Sequence, residues 1–273
     1  MRDQGLGSGS PLARGRTVLV AALALLSITP AAAQHWRPPA GTTFAIILST
    51  APNRVVTGAK AVDIDLFEAK PATVRALKQQ NKRVICYMSA GSWESWRPDA
   101  ADFPPEVIGR PLDGWPGEKY LDIRALDVIG PIMIARLELC KAKGFDAVDP
   151  DNVDAYEIGN RTGFRITRAH AIRYMRFLAR EAHRLGLAIG LKNATSIADD
   201  VLDVMDFAVT EDCFDQGWCR DSKNFIGANK PVFAIEYTDN GIVFADFCRQ
   251  ASRLGLSPLL KRRNLNEWER RCP

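Results

Sequence analysis

The sequence has few histidines, no Cys-x-x-Cys pair and no glycine-rich turn after its first predicted strand. Three histidines in 273 residues argue against an ordinary zinc site. The missing glycine-rich turn excludes the dinucleotide and P-loop fingerprints. Neither sign of charge is in large excess, since the sequence has 36 basic and 32 acidic residues, for a net charge of +4. We therefore expect no cofactor, no metal and no nucleic-acid partner.

Long hydrophobic runs are also missing. The apolar run Val18–Ile28 is too short for a membrane-spanning helix, which needs about 20 residues. It follows two arginines and precedes small residues up to Ala33, a pattern typical of a secretory signal peptide. A membrane anchor is the alternative. We expect residues 1–33 to be removed, and residues 34–273 to be secreted or periplasmic without stable membrane insertion.

The cysteines number six, and an even count permits disulfides in an oxidising compartment. Cys213 and Cys219 are close enough in sequence to close a small loop. Cys248 and Cys272 form a weaker second pair. Cys86 lies inside an apolar run, where a buried free thiol is an equal alternative. The sequence alone leaves the pairing open.

Short apolar runs alternate with segments of helical period along the remaining chain. Eight runs have the length of buried parallel strands: Phe44–Leu48, Val62–Leu66, Val84–Met88, Ala147–Asp149, Leu187–Leu191, Phe207–Thr210, Val232–Glu236 and Pro258–Lys261. Helices are predicted at Pro71–Asn81, Ile129–Lys143, Arg168–Leu185 and Asn240–Leu254. Three of these helices are followed at once by glycine, which suits the position after a helix.

Eight strands in about 240 residues, with helices between most of them, predict an α/β fold of the (β/α)8 TIM-barrel type. The chain shows no internal repeat and no low-complexity linker, so a single domain over residues 34–273 is the simplest organisation. A doubly wound sheet is the alternative, but the missing glycine-rich turn leaves it without support.

Carboxylates follow the predicted strands at their carboxyl ends, where barrel active sites lie. They come from four or five strands: Asp63, Asp65, Glu94, Asp149, Asp151, Asp154, Glu211, Asp212 and Glu236. Glycoside hydrolysis needs two carboxylates with different protonation states and no metal. An acid cluster that binds Mg²⁺ or Ca²⁺ is the alternative.

Tryptophans occur near the same predicted mouth. Trp93, Trp96 and Trp115 follow the third strand, and their aromatic faces could stack on sugar rings. Packing against the rim of the barrel is the alternative for each of them.

Six segments in order carry a family resemblance: 63–67 (DIDLF), 84–94 (VICYMSAGSWE), 115–124 (WPGEKYLDIR), 144–154 (GFDAVDPDNVD), 191–193 (LKN) and 207–213 (FAVTEDC). Together they resemble glycoside hydrolase family 114, the endo-α-1,4-polygalactosaminidases. The resemblance covers nearly all of the chain after the predicted signal. The Asp-Pro-Asp-Asn segment and the later Glu-x-Cys segment are specific only in combination.

This resemblance implies a barrel that cleaves α-1,4-linked galactosamine or N-acetylgalactosamine polymers internally, with retention of configuration. It also implies Asp151 as the nucleophile and Glu211 as the acid/base. Asp149 is the rival for the first role, since it shares the strand parity of Asp151. Glu236 is the rival for the second.

Substrate contacts are expected from Asp65, Tyr87, Trp93, Asp149, Asn152, Lys192, Asn193 and Glu236. The expected partner is a galactosamine-containing polysaccharide, because an acid-rich mouth attracts its ammonium groups. A monomer is expected. Two alternatives stay open, a non-catalytic polysaccharide-binding barrel and a hydrolase of another α-linked glycan.

Overall fold

The computed structural model describes Met1, residues 34–49 and residues 57–273. The predicted export signal lies outside the described residues, apart from Met1, and stays a prediction. The described residues from 34 onward belong to one compact unit. Within the described part of the chain, no helix combines the length and apolarity needed to cross a membrane.

The strands and helices follow the predicted alternation. The strands of the described residues are β1 (Phe44–Ile47), β2 (Ala61–Asp65), β3 (Arg83–Ser89), β4 (Ser92–Glu94), β5 (Ile108–Pro111), β6 (Glu118–Leu121), β7 (Ala147–Asp151), β8 (Ala188–Lys192), β9 (Phe207–Glu211), β10 (Val232–Tyr237), β11 (Ser257–Lys261) and β12 (Glu269–Arg270). The helices are α1 (Pro71–Gln79), α2 (Leu126–Lys143), α3 (Arg168–Arg184), α4 (Ala198–Val201), α5 (Lys223–Gly227) and α6 (Phe244–Leu254). All eight predicted strands are present.

The main sheet is almost closed into a barrel. Its parallel strands run in the order β1-β2-β3-β7-β8-β9-β10-β11, and β12 adds an antiparallel edge beside β11. Near the gap, the backbone N–H groups of Leu48 and Ser49 both donate to the carbonyl of Leu265, just after β11. The predicted TIM-type barrel is confirmed, as a mixed and nearly closed sheet.

The barrel interior is apolar at one end and polar at the other. Phe44, Phe207 and Phe233, at the amino ends of their strands, are buried inside, with Phe44 and Phe233 stacked at 4.4 Å between ring centroids. Because side chains alternate between the two faces of a strand, every second residue toward the carboxyl end also faces inward. In β7 this places Asp149 and Asp151 inside, above the aromatic layer.

The helices cover the outer face of the barrel and end largely as predicted. Gly144 and Gly255 follow α2 and α6 with φ of 94° and 73°, the left-handed conformation that favours glycine. The predicted start of α6 at Asn240 is wrong. Residues 238–240 form a separate turn that ends at Gly241, so the helix begins at Phe244.

A small antiparallel sheet, β4-β6-β5, lies between β3 and α2 and was not predicted. The connection between this sheet and the barrel requires glycine at position 91, because a Cβ there would lie 1.7 Å from the carbonyl oxygen of Asn152. The N–H groups of Ala90 and Gly91 both donate to the carbonyl of Asp151. The small sheet is thereby joined to the end of β7.

Three disulfides pair all six cysteines. The expected pairs Cys213–Cys219 and Cys248–Cys272 are both present. The free-thiol alternative for Cys86 is wrong, since Cys86 of β3 is bonded to Cys140 of α2. This bridge ties the outer helix directly to the barrel wall.

Candidate active site

A cavity of about 1110 Å³ opens at the carboxyl ends of the barrel strands. Ten carboxylate side chains and three cationic ones line it. The acids are Asp65, Glu68, Glu94, Glu118, Asp151, Asp154, Glu157, Glu211, Asp212 and Asp221. The lining is therefore strongly negative in a chain whose net charge is +4.

Three neighbouring strands end in the same unusual way. Asn152, Asn193 and Asp212 directly follow β7, β8 and β9, with positive φ of 61°, 54° and 58°. Asn and Asp are the non-glycine residues that tolerate this conformation best, and such backbone conformations cluster at functional sites. Each of these residues turns the chain away at the strand end and leaves the preceding side chain at the cavity.

Lys192, the last residue of β8, lies between the predicted catalytic carboxylates. Its Nζ is 3.3 Å from Oδ1 of Asp151 and 3.1 Å from Oε2 of Glu211. Those two oxygens are therefore no more than about 6.4 Å apart, the length of the two contacts taken end to end. Burial lowers the pKa of Lys192, but the charges of Asp151, Glu211 and Asp149 outweigh burial and raise it well above its usual value.

Asp151 is held in its ionised form. Burial raises its pKa, but the Lys192 charge, the Tyr87 hydroxyl and the Asn152 N–H together lower it below the usual value. Tyr87 donates to Oδ2 at 2.7 Å, and the N–H of Asn152 donates to Oδ1 at 2.9 Å. The Asp151 side chain remains 19% exposed, so it can meet a substrate.

Glu211 lies on the other side of Lys192, with its side chain 20% exposed. The hydroxyl of Tyr237, from β10, donates to Oε1 of Glu211. The backbone N–H of Glu211 donates to Oδ1 of Asn193 at 2.8 Å. Both neighbouring strands thus fix Glu211, while its carboxylate faces the cavity.

Asp149 and Asp63 lie deeper in the barrel and do not line the cavity. Asp63 and Asp149 are both fully buried, and Nζ of Lys192 lies 3.8 Å from Oδ2 of Asp149. Burial, and next the charge of Asp149, raise the pKa of Asp63 well above its usual value. These effects favour the protonated form of Asp63, which lies beneath the pair formed by Asp151 and Glu211.

A second charged cluster joins the small sheet to β2. Arg97 donates through Nη1 and Nη2 to the two oxygens of Asp65, at 2.9 and 2.6 Å, and its Nη2 lies 2.7 Å from Oε1 of Glu94. Glu118 of β6 accepts from the Ser92 hydroxyl. Burial is the largest cause that raises the pKa of Glu118 to about 7, and the charges of Glu94 and Asp151 add to it.

Two exposed tryptophans line the cavity. Trp96 and Trp115 are 52% and 55% exposed, which is unusual for so large an apolar side chain. Trp93 does not line it, because its indole N–H donates to the carbonyl of Ala100. The exposed pair could form a stacking surface for sugar rings.

Glu236 also lies away from the cavity. It points to the opposite face of β10 from Tyr237, toward the helices, and its Oε1 accepts from the N–H of Phe214 at 2.7 Å. Burial raises its pKa to about 7. Its position below the loop closed by Cys213 and Cys219 suits a role in fixing that loop.

Seven of the ten residues predicted for the site line this cavity: Asp65, Tyr87, Asp151, Asn152, Lys192, Asn193 and Glu211. The other three, Trp93, Asp149 and Glu236, do not. Sequence reasoning missed Arg97, Glu118, Trp218 and Arg263, which also line it. For Arg263 a signal was available, since it lies just after the eighth predicted strand.

Chemically, the arrangement offers one carboxylate held ionised, a second carboxylate within reach of the same bond, and a fixed cation between them. Such a pair can act as nucleophile and acid/base at an acetal carbon.

Comparisons with known proteins agree with that chemistry. The sequence profile of glycoside-hydrolase family GH114 matches residues 26–273. The chain is similar to Ega3 of Aspergillus fumigatus, whose crystal structure is a complex with galactosamine. Identity is 39%, the TM-score is 0.82, and the match covers 88% of this chain and 98% of that one. No curated protein is a significant match.

More distant structures share the fold. The glycoside hydrolase domain of PelA from Pseudomonas aeruginosa is 15% identical with a TM-score of 0.66, over 86% of this chain and 99% of that chain. An α-galactosidase from Thermus thermophilus is 12% identical with a TM-score of 0.53, over 82% of this chain and 58% of that chain.

Proposed function

Since the chain belongs to glycoside-hydrolase family GH114, we propose that it cleaves α-1,4-linked galactosamine or N-acetylgalactosamine polysaccharide internally, by a retaining mechanism. The observation that carries this proposal is the placement of Asp151 and Glu211 on either side of Lys192, in a cavity lined by ten carboxylates. The galactosamine bound to the similar Aspergillus fumigatus protein supports the substrate class.

In the first step, Glu211 donates a proton to the glycosidic oxygen while an oxygen of Asp151 attacks the anomeric carbon. The bond to the leaving chain breaks, and a covalent glycosyl–Asp151 ester forms. In the second step, Glu211 takes a proton from water, and the water oxygen attacks the same carbon. Asp151 then leaves as a carboxylate, and Glu211 is again protonated.

The roles follow from what each carboxylate accepts. Asp151 accepts hydrogen bonds from Tyr87 and Asn152 and lies beside Lys192, so it stays ionised and suits attack. Glu211 alternates between donor and acceptor, and Tyr237 holds its other oxygen in place. Asp149 is the weaker candidate nucleophile, because it is completely buried and does not reach the cavity.

The spacing of the two carboxylates is compatible with retention. Retaining glycosidases have carboxyl groups about 5–5.5 Å apart, while inverting ones leave about 6.5–9.5 Å for a water molecule. The upper limit of about 6.4 Å between Oδ1 of Asp151 and Oε2 of Glu211 is compatible with the spacing of a retaining enzyme.

The charge of the cavity favours an aminosugar polymer. Non-acetylated galactosamine units carry ammonium groups, and ten lining carboxylates against three cationic groups attract them. The lining also contains the exposed faces of Trp96 and Trp115, which suit consecutive sugar rings. An open cavity of this volume and charge is compatible with cleavage inside a chain.

The disulfides support a proposal on location. Three disulfides in a chain of this size are typical of an oxidising compartment. Together with the signal predicted for residues 1–33, they support a secreted or periplasmic enzyme. We propose that residues 34–273 act as one catalytic domain and as a monomer.

The first experiment compares polysaccharides and the stereochemistry of cleavage. The purified protein is incubated with polygalactosamine at several degrees of acetylation and with neutral α-linked glucans, and products are identified by mass spectrometry. Proton NMR then follows the first-formed reducing ends. We expect internal cleavage of the galactosamine polymer alone and initial release of the α-anomer. Initial release of the β-anomer would contradict the retaining mechanism.

Variants then separate the roles of the two carboxylates. Asp151→Asn and Glu211→Gln should lower kcat by at least about 10³-fold with the fold intact, whereas the surface controls Asp102→Asn and Glu138→Gln should keep full activity. With added azide, Asp151→Ala should yield a β-glycosyl azide and Glu211→Ala an α-glycosyl azide. Full activity of Asp151→Asn or Glu211→Gln would refute the assignment. Polymer binding without cleavage by the wild type would favour the binding-barrel alternative.

A further inference from the structure

Arg263 lies two residues after β11 and lines the cavity, but it takes no part in the mechanism described for Asp151 and Glu211. Its guanidinium carbon lies over the ring of Tyr237, 3.8 Å from the ring centroid. Among the described residues this is the closest contact between a cation and an aromatic ring. A guanidinium at this distance is attracted to the face of the ring.

Four hydrogen bonds fix the guanidinium of Arg263. Nη1 donates to Asp212 at 2.8 Å, Nη2 donates to Asn240 at 2.7 Å, and Nε and Nη2 donate to the two oxygens of Asp239 at 3.1 and 3.2 Å. Asn240 in turn donates from Nδ2 to Oδ1 of Asp212 at 2.7 Å. An exposed ion pair alone contributes little, but several charges in one network hold a side chain in place. This network joins the ends of β9, β10 and β11.

Tyr237 connects the network with the acid/base. Its hydroxyl donates to Oε1 of Glu211, and only 3% of the tyrosine is exposed. Burial, and next the charge of Glu211, raise the pKa of Tyr237 above its usual value, so the hydroxyl keeps its proton and acts as the donor. In the described part of the chain, the carboxylate of Glu211 contacts Tyr237 through Oε1 and Lys192 through Oε2. The position of the Tyr237 ring therefore helps to set the orientation of that carboxylate.

We propose that Arg263 is a positioning residue, which holds the ring of Tyr237 so that the Tyr237 hydroxyl orients the carboxyl group of Glu211. A cation at the face of a phenol also draws electron density from the ring, which makes the hydroxyl a stronger donor. This role rests on the proposed function, because Glu211 is the group that would transfer the proton.

A direct contact between Arg263 and the substrate is the alternative. A guanidinium has five N–H donors, and four hydrogen bonds to the chain engage most of them. The positive charge of Arg263 would also repel the ammonium groups of a galactosamine polymer. Both observations favour a role through Tyr237.

The test compares Arg263 with a matched arginine beside it. Arg262 places its guanidinium carbon 5.1 Å from the centroid of the Trp268 ring and does not line the cavity, so Arg262→Met removes a similar contact elsewhere. On polygalactosamine, Arg263→Met should lower kcat about tenfold with KM near wild type, whereas Arg262→Met should change neither. Arg263→Lys, which keeps the charge but not the planar fork, should lie between Arg263→Met and the wild type. It also serves as the test variant if Arg263→Met fails to fold.

Two measurements separate a role through Tyr237 from a general loss of structure. Adding Arg263→Met to Tyr237→Phe should lower kcat by less than about twofold, because the hydroxyl that Arg263 positions is already gone. A galactosamine oligosaccharide with a 2,4-dinitrophenolate leaving group needs no proton from Glu211, so its kcat/KM should stay within about twofold of wild type in Arg263→Met. Full additivity with Tyr237→Phe, or a raised KM with unchanged kcat, would overturn the proposal.

Proton NMR tests the contact without relying on activity. The hydroxyl proton of Tyr237, assigned by its loss in Tyr237→Phe, should exchange with water at least tenfold faster in Arg263→Met than in the wild type and in Arg262→Met. Equal exchange rates in Arg263→Met and the wild type would also overturn the proposal. A wild type that cleaves no galactosamine polymer would refute the proposed function alone, since the exchange rate would still decide whether Arg263 holds Tyr237.

Discussion

Tyr87 donates its phenolic hydroxyl to Oδ2 of Asp151 at 2.7 Å, across the pair of strands β3 and β7. This bond is one of the causes that lower the pKa of Asp151. We predict that Tyr87→Phe raises the pKa of Asp151 and moves the acidic limb of kcat/KM to higher pH by about one pH unit. Activity on the acidic side should then fall about tenfold.

The pH profile of kcat/KM, measured from pH 4 to 8, checks this prediction. Tyr156→Phe is the control, because that hydroxyl contacts Ser196 and Glu157 and not Asp151. An acidic limb that stays in place in Tyr87→Phe would show that Tyr87 does not act through the ionisation of Asp151.

The raised pKa of Asp63 gives a second prediction, on stability. A buried group that keeps its proton in the folded state stabilises the fold at low pH, and this contribution is lost as pH rises toward the folded pKa. Asp63→Asn mimics the protonated form and removes this dependence. As the pH rises above 4, the free energy of unfolding of the variant should therefore increase relative to that of the wild type. The increase should be up to about 1.4 kcal/mol per pH unit.

Urea unfolding of both proteins at pH 5 and pH 8 measures the difference. Asp102→Asn, at an exposed carboxylate, should follow the wild type at both values. If the free energies of unfolding of Asp63→Asn and the wild type instead change by the same amount between pH 5 and pH 8, Asp63 is ionised in the folded protein.

Much of the fold could be predicted because the strands of a barrel are continuous apolar runs. The convergence of Asp151 and Glu211 could be predicted too, since parallel strands bring their carboxyl ends to one mouth. Glu236 shows the limit of this reasoning. A difference of one residue turns a side chain to the other face of a strand, and Tyr237, not Glu236, faces inward beside Glu211.

Other parts of the site depend on contacts that no local pattern encodes. Glu118 lies in β6 of the small sheet and Arg97 in the turn after β4, and the strands of this sheet, three or four residues long, are too short to show a period. The bond between Cys86 and Cys140 depends on which helix packs against β3. Only the folded chain brings these residues together.

The disulfides should differ in their contributions to stability. The bonds of Cys86–Cys140, Cys248–Cys272 and Cys213–Cys219 span sequence separations of 54, 24 and 6 residues. Loop-closure entropy then predicts losses of about 4, about 3.5 and about 2 kcal/mol for the three double Cys→Ala variants. The order of urea midpoints tests this. A larger loss for Cys213–Cys219 than for Cys86–Cys140 would contradict the entropic origin.

The exposed pair Trp96 and Trp115 leads to a prediction on substrate length. Both belong to loops of the small sheet, outside the strand ends that carry Asp151 and Glu211, so they would contact sugar units remote from the cleaved bond. Aromatic stacking contributes about 0.5–1.5 kcal/mol per contact. Trp115→Ala should therefore raise KM for long polymer up to about tenfold while kcat for the shortest cleaved oligosaccharide stays near wild type.

Trp36→Ala, remote from the cavity, is the control. Equal losses on long and short substrates would place Trp115 at the cleaved bond itself, and no loss on either would place Trp115 outside the path of the polysaccharide.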